Sequence, residues 1–512
     1  MTSTALDRPA QSPSSGPSLF SGKIPPSVLI GALLLFAANI LTAGLSVPLW
    51  LDENFSATIA AQPTFARLVD WCLNELSGPL YYSLLWAWEK IAGDGNVALR
   101  IPSIALSIAA PAFLLWKGHP DRTTRTLWAL CIALWQPGLG IATEARPYTL
   151  MLFLGCVQAV SFLHLMRAPT TRQAAIWAGV SALAVLTHYH ALVISGVQGL
   201  AYLLVWRQTA LRTWPALLVL APMAAWMSWH LQFVLHYANS GQTWYQVLTW
   251  QQALVVPVFF CGSMATAAAL VVLLPASLYA RFARARAADA PPIRLSPELV
   301  LTATGLIATL IVVAMGFVRP SFSMRYLLAY VGAVSLLIPL VLREVKPLLP
   351  VAPMLIVMLF IGTAVPPLVQ NLKAPQADHR YQFNFEQPSD WIIAQTPNDG
   401  HARRLVFLWD NPTALLGKPQ KLADVGGFFF RRDHRPVEVL IPHYGLNADP
   451  YPAVLALTQG RADTAVIWAF DKAVPNTSAL RYAPGVLQDK ARWTCRDFGA
   501  DSIAVLACVP RR

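Results

Sequence analysis

Long apolar runs separated by short polar stretches set the pattern of this chain. They fall at about 27–50, 97–116, 127–143, 147–166, 174–187, 191–206, 214–235, 253–280, 297–317, 326–342 and 349–370. About 20 apolar residues in a helix cross the hydrocarbon core of a bilayer, so the pattern predicts about 11 transmembrane helices. The polar stretches alternate in charge. Lys117, Arg122 and Arg125 follow one run; Arg167 and Arg172, Arg207 and Arg212, then Arg281, Arg284, Arg286 and Arg294, and finally Arg343 and Lys346 follow others. The loops between these are poorer in Lys and Arg. By the positive-inside rule the basic loops are expected in the cytoplasm. The stretches 51–96, 142–147, 188–190, 236–252 and 317–325, and everything after 371, are then expected outside.

Pro79 to Trp88 is apolar and aromatic but short. If it spanned, the charge alternation would fail, so it is read as a helix lying at the interface. The start of the chain, 1–26, is rich in Ser and Pro and reads as a disordered cytoplasmic tail. The module 27–371 follows, with 51–96 as its first outer loop. Beyond it charges and turn residues return. Leu405–Trp409, Val437–Ile441, Thr464–Trp468 and Ser502–Leu506 have the look of short strands. Residues 372–512 are therefore expected to form an outer soluble α/β domain.

Composition sharpens this. Only 12% of the 512 residues are charged and 55% are hydrophobic, whereas soluble proteins carry about 25% charged residues. The chain is thus expected to be a polytopic α-helical membrane protein. The net charge of +12 lies largely in short loops, and no basic stretch is interleaved with aromatics, which argues against a nucleic-acid partner. Of the six cysteines, four lie in or beside apolar runs. Cys495 and Cys508 instead flank a hairpin-like turn, where a disulfide and two free thiols are both open.

The chemistry-bearing residues gather on the expected outer side. Asp52 and Glu53 follow the first run directly. A carboxylate there can act as a general base or ligate a divalent cation; equally, it can cap the next helix. Glu144 and Arg146 stand before Pro147, where Glu144 can cap a helix and Arg146 can fork a phosphate, or the two can form a local surface pair. His188 and His190 share no helix face, so paired metal ligation from a regular helix is disfavoured; one can bond a phosphate, or both can be structural. Arg325 opens an apolar helix, where a cation opposes the helix dipole unless an anion offsets it. Acids, imidazoles and arginines on one membrane face suit an anionic lipid-linked substrate.

In order, Leu51-Asp52-Glu53, Pro79-Leu80-Tyr81-Tyr82, Ala98-Leu99-Arg100-Ile101-Pro102-Ser103, Glu144-Ala145-Arg146-Pro147-Tyr148, Thr187-His188-Tyr189 and Arg325-Tyr326 form a set. With them the chain resembles the GT-C glycosyltransferases, specifically the bacterial family 39-like proteins related to protein O-mannosyltransferases and aminoarabinose transferases. The resemblance covers about 27–345. It implies inverting transfer of a monosaccharide from a polyprenyl-phosphate donor to a glycan, lipid or protein acceptor of the cell envelope. The place would be the periplasmic face of a bacterial inner membrane, among membrane lipids. By analogy Asp52 is the base, helped by Glu53, with Glu144 as a second acid. Arg146, His188, His190, Arg325, Tyr81 and Tyr82 are binding residues for the donor and its phosphate. If a divalent cation is bound, Asp52 and Glu144 are its ligands. One departure stands out: relatives often read His-Pro-Pro where this chain has Ser77-Gly78-Pro79. A transporter or flippase of a lipid-linked sugar, or a non-catalytic scaffold of glycan assembly, are the alternative readings.

Overall fold

The computed structural model describes residues 24–45, 47–239, 247–287, 296–373, 383–396, 400–410, 418–443, 451–459, 463–471, 489–499 and 503–511. The expected tail at 1–26 lies almost wholly outside them, as do Arg294 and Ser502. Among the described residues seven helices are long and apolar enough to cross a membrane: Asn96–Lys117, Tyr148–Arg167, Trp214–His236, Met264–Phe282, Pro297–Val318, Met324–Val345 and Ala352–Lys373. Shorter apolar helices occupy Pro26–Thr42, Ala191–Trp206 and Trp250–Cys261. The chain is a multi-pass membrane protein with a small sheet domain at its C-terminal end.

The first ten helices are α1 (Pro26–Thr42), α2 (Leu51–Ala60), α3 (Phe65–Cys72), α4 (Leu80–Ala92), α5 (Asn96–Lys117), α6 (Arg122–Ala133), α7 (Gln136–Ile141), α8 (Tyr148–Arg167), α9 (Thr171–Thr187) and α10 (Ala191–Trp206). Polar side chains begin several of them: Thr64, Asp121 and Thr170 accept from backbone N–H groups of α3, α6 and α9. The Pro79–Trp88 stretch is α4, whose 13 residues rise about 20 Å, less than the ~30 Å hydrocarbon core. It turns Tyr81, Tyr82 and Leu85 inward and leaves Leu84 and Ile91 exposed.

Two expected continuous runs are broken. The run 127–143 divides into α6 and α7 around Trp135, with Pro137 opening α7. The run 253–280 divides into helices Trp250–Cys261 and Met264–Ala287 at Gly262, whose φ is +76°. The breaks meet: a Cβ on Gly262 would stand 3.2 Å from the Trp135 ring, and Trp135 Nε1 donates to the Phe259 carbonyl at 2.6 Å. At the centre of the bundle α8 crosses the helix Leu328–Ser335. A Cβ on Gly332 would lie 2.6 Å from the Gly155 carbonyl oxygen, so glycine permits this approach.

The sheet has order β2-β1-β3-β5-β4, with β1 Arg403–Asp410, β2 Val437–Leu440, β3 Thr464–Asp471, β4 Trp493–Asp497 and β5 Ile503–Pro510. β2, β1 and β3 run parallel; β5 pairs antiparallel with β3 and β4. Both faces are buried, Leu405 and Phe407 on one, Val406 and Leu408 on the other, as fits the near-continuous apolar strands. Cys495 and Cys508 stand opposite one another in the β4–β5 register and are joined by a disulfide.

This domain is docked on the segment 47–74. Leu51 N donates to the Phe383 carbonyl at 2.8 Å, and Trp50 bridges Asn384. Glu386 accepts from Leu49 N (3.0 Å), Asn96 Nδ2 (2.9 Å) and Arg432 (2.6 Å). Arg67 pairs with Asp424 at 2.8 Å and Lys421 with Asp70 at 2.6 Å. The stretch that begins α2 is thus pinned from both sides of the domain junction.

Candidate active site

Trp50 to Glu53 form the entrance to α2, and the first-turn acids diverge at once. Glu53 turns inward and is fully buried. Arg100 of α5 meets it through two bonds, Nε to Oε1 at 2.9 Å and Nη2 to Oε2 at 2.6 Å. Ala145 N donates to Oε1 at 2.8 Å and Trp50 N to Oε2 at 3.4 Å. Reaching back to the residue before the helix is the acid half of a capping box. Arg100 also donates to the carbonyls of Leu45, Val47 and Pro48. Glu53 therefore ties α2, α5 and the 144–147 turn together.

Asp52 turns the other way and its side chain is 26% exposed. Oδ2 lies 3.1 Å from Arg325 Nη1 and 3.5 Å from Arg146 Nη2. Residues distant in sequence are thus brought together: α2, the turn before α8, and the start of the 324–345 helix. The Arg325 guanidinium lies over the rings of Trp50 (5.7 Å) and Tyr148 (5.3 Å). Arg146 Nη1 also donates to the Asp52 carbonyl (3.1 Å), to Ser56 Oγ (3.4 Å) and to Tyr82 OH (3.3 Å). Arg146 thus reaches across to α2 and α4. Glu144 itself is buried behind the cluster.

His188 and His190 leave α9 and enter α10 at the same end of the bundle. Both rings pack on Tyr326, at 4.4 and 4.5 Å. Burial pushes the His190 imidazole down to about 4. Burial, His190 and the two guanidiniums Arg146 and Arg325 hold His188 well below the usual range. Both are neutral near pH 7 and can offer an N–H or a lone pair, but no charge. Tyr82 reaches the cluster through Arg146. Tyr81 does not: it is 1% exposed and its hydroxyl pairs with Ser103 at 3.3 Å.

The Asp52–Glu144 pair does not fit a divalent cation. Asp52 Oδ2 is met by two guanidiniums. Among the described residues no group of three or more His, Cys, Asp or Glu side chains is placed to hold a metal ion. The departure at Ser77-Gly78 has a steric cause. Gly78 N donates to the Thr187 carbonyl at 3.2 Å, and a Cβ there would stand 1.8 Å from the Leu186 carbonyl oxygen. A proline would lose that bond and collide with the end of α9.

Two residues of this region carried no assigned role in the sequence reading. Arg100 had a signal: a charged residue inside an apolar helix implies a partner. Glu75 had none. It lies between α3 and α4, and its Oε2 accepts from Tyr82 OH at 3.2 Å. Burial raises its carboxyl above the ordinary range, against the lowering effect of Arg146.

A bundle of apolar helices, a docked α/β domain and a charged cluster where they meet define a multi-pass membrane protein. Among solved structures the chain is similar to ArnT from Cupriavidus metallidurans in the apo state, with TM-score 0.56 at 12% identity over 94% of this chain and 98% of that one. It is similar to ArnT bound to undecaprenyl phosphate at TM-score 0.54 and 13% identity, over 94% of this chain and 97% of that one. The likeness extends over nearly the whole of both chains, and what it establishes is the fold. An oligosaccharyltransferase from Archaeoglobus fulgidus matches with TM-score 0.43 at 13% identity, over 86% of this chain and 67% of that one. No protein-family model matches the chain, and no curated protein does.

Proposed function

We propose that the chain is an inverting glycosyltransferase that moves a monosaccharide from a polyprenyl-phosphate donor to an envelope acceptor. The observation that carries the reading is the partly open Asp52 carboxylate held between Arg146 and Arg325. ArnT, which shares the fold, has been captured with undecaprenyl phosphate, and that supports a carrier of this chemistry here. The charge arrangement explains how one site serves both reactants. Before substrate arrives the two guanidiniums are shared with Asp52. A phosphate entering the cluster draws them off, because two guanidiniums fork a phosphate better than they share one carboxylate oxygen. Asp52 is then released as the base.

In the transfer step the acceptor hydroxyl gives its proton to Asp52, and its oxygen bonds to the anomeric carbon. The bond from that carbon to the phosphate oxygen breaks, and the carrier phosphate leaves with the electron pair. Arg325 and Arg146 stabilise the charge that develops there. Neutral His188 and His190 supply hydrogen bonds without charge. Glu144 and Glu53 are positioning acids, the second through Arg100. The site is assigned to the periplasmic face of a bacterial inner membrane, with the N-terminus cytoplasmic and residues 372–512 as the periplasmic domain, on the strength of the basic loops at the other end of the spans.

The test uses reconstituted protein, a panel of radiolabelled polyprenyl-phosphate sugars and an envelope acceptor extract. The expected result is consumption of one donor, slowed about 100- to 10,000-fold by Asp52→Asn with folding intact. Unimpaired transfer by that variant overturns the base assignment. Label crossing the bilayer intact without transfer overturns the enzyme reading in favour of a lipid-linked sugar transporter.

A further inference from the structure

The polar contacts around Arg146 form a chain with a fixed direction. Arginine has only donors, so the 3.3 Å contact between Arg146 Nη1 and Tyr82 OH requires the tyrosine oxygen to accept. The single tyrosine proton then goes to Glu75 Oε2, 3.2 Å away. Arg146 donates to Tyr82 and Tyr82 donates to Glu75. A carboxylate at the end of such a chain makes the phenol oxygen a stronger acceptor.

The distances show the consequence. Arg325 approaches Asp52 to 3.1 Å, whereas Arg146 stands at 3.5 Å from the same oxygen. Arg146 is drawn between two carboxylates, Asp52 directly and Glu75 through Tyr82. Without Glu75 only neutral groups, Ser56, Tyr82 and the Tyr148 ring, would oppose the pull of Asp52 on Arg146.

We propose that Glu75 is a positioning residue for the transfer reaction: through Tyr82 it holds the Arg146 guanidinium back from Asp52, leaving the carboxylate free to act as base and the guanidinium free to take the carrier phosphate. This deepens the glycosyltransferase reading and rests on it for its kinetic consequences; the geometric claim stands apart. Charged and titratable groups facing the chain are Asp52 on α2, Cys72 on α3, Tyr81 and Tyr82 on α4, Arg146 and Tyr148 at the start of α8, His188 at the end of α9, and Arg325. His230 of the helix Ala221–Asn239 meets the neighbouring Leu73 carbonyl at 3.2 Å.

Two isosteric variants, Glu75→Gln and Tyr82→Phe, test the chain. In the structure of either variant, solved by cryo-electron microscopy in nanodiscs, Arg146 closes onto Asp52. In transfer assays turnover falls about ten-fold, the scale of one hydrogen bond to a charged group, and KM for the donor rises, because Arg146 is no longer free to take the carrier phosphate. The double variant is no slower than the worse single one, since both break the same chain. Arg146 unmoved in both variant structures overturns the proposal, whether or not a donor has been found. Movement of Arg146 with unchanged turnover and unchanged KM for the donor also overturns it. Failure of every donor with the wild type falls on the glycosyltransferase reading, and the position of Arg146 still decides the inference.

Discussion

The two ends of α8 carry the same local motif put to different uses. At one end Asp52 is the second residue of α2 and stands between Arg325 and Arg146. At the other, Glu298 is the second residue of the helix Pro297–Val318 and stands between Arg167 and His119. An acid in the first turn suits the helix dipole in both. Glu298 is the closed version: Oε1 meets Arg167 at 2.5 Å and His119 at 3.3 Å, with the carboxylate side chain 12% exposed. It clasps the α5–α6 turn, the end of α8 and its own helix. Asp52 is the open version, with longer contacts, 26% exposure and arginines that have other partners. Charge pairing alone therefore does not mark a reactive site. Spare reach does: a cation already divided among several acceptors can turn to an incoming anion.

The sharpest way to break the comparison is the residue next to Asp52. Glu53→Ala removes one half of a fully buried pair and leaves Arg100 uncompensated, which costs about 3–5 kcal/mol. Thermal unfolding in detergent is expected to shift strongly, with little folded protein at growth temperature, whereas Asp52→Asn is expected to stay within about 1 kcal/mol of wild type. A Glu53→Ala protein that is stable but inactive would return Glu53 to the chemistry. Next in size is Glu298→Gln. It is expected to lose about 1.5–3 kcal/mol, the range for hydrogen bonds to a charged group, with transfer per folded molecule unchanged. Slowed transfer at full stability would mean that the closed end also serves the reaction.

Much of the site was legible because membrane topology does part of the folding. Alternating basic loops place Asp52, Arg146, His188 and Arg325 at one end of the spans, and the structure joins all but the histidines through direct ion pairs. Four of the five strands were legible as short apolar runs and β4 only as one flank of a hairpin-like turn, whereas the order β2-β1-β3-β5-β4 depends on long-range pairing that no local pattern records. The opposite fates of Asp52 and Glu53 were not legible, since adjacent helix positions differ by about 100° of rotation and only the position of Arg100 decides which one is buried. The helix break at Gly262 was hidden for another reason. Hydropathy sums side chains and is blind to φ, so an apolar run looks continuous across a left-handed glycine. Glu75 was hidden because one acid in a polar loop is ordinary until Tyr82 is found above it.

The smallest expected effect concerns the histidines, and it again separates the two ends. His119 lies against a carboxylate; His188 and His190 lie with Tyr326 near two guanidiniums, and burial holds His190 at about 4 against a usual 6.5. Because this folded value is the lower one, the unfolded chain binds more protons between pH 6.5 and 4, and stability rises with pH across that window. The His190 contribution is fully present above about pH 6.5 and is lost as pH falls toward 4. Thermal unfolding in detergent at pH 7.5 and pH 5 reads the effect, with His190→Gln as the control that cannot titrate. The wild type is expected to lose more stability on acidification than the variant. An equal loss would mean that the imidazole is not held neutral by its surroundings, and that the site end already tolerates another positive charge.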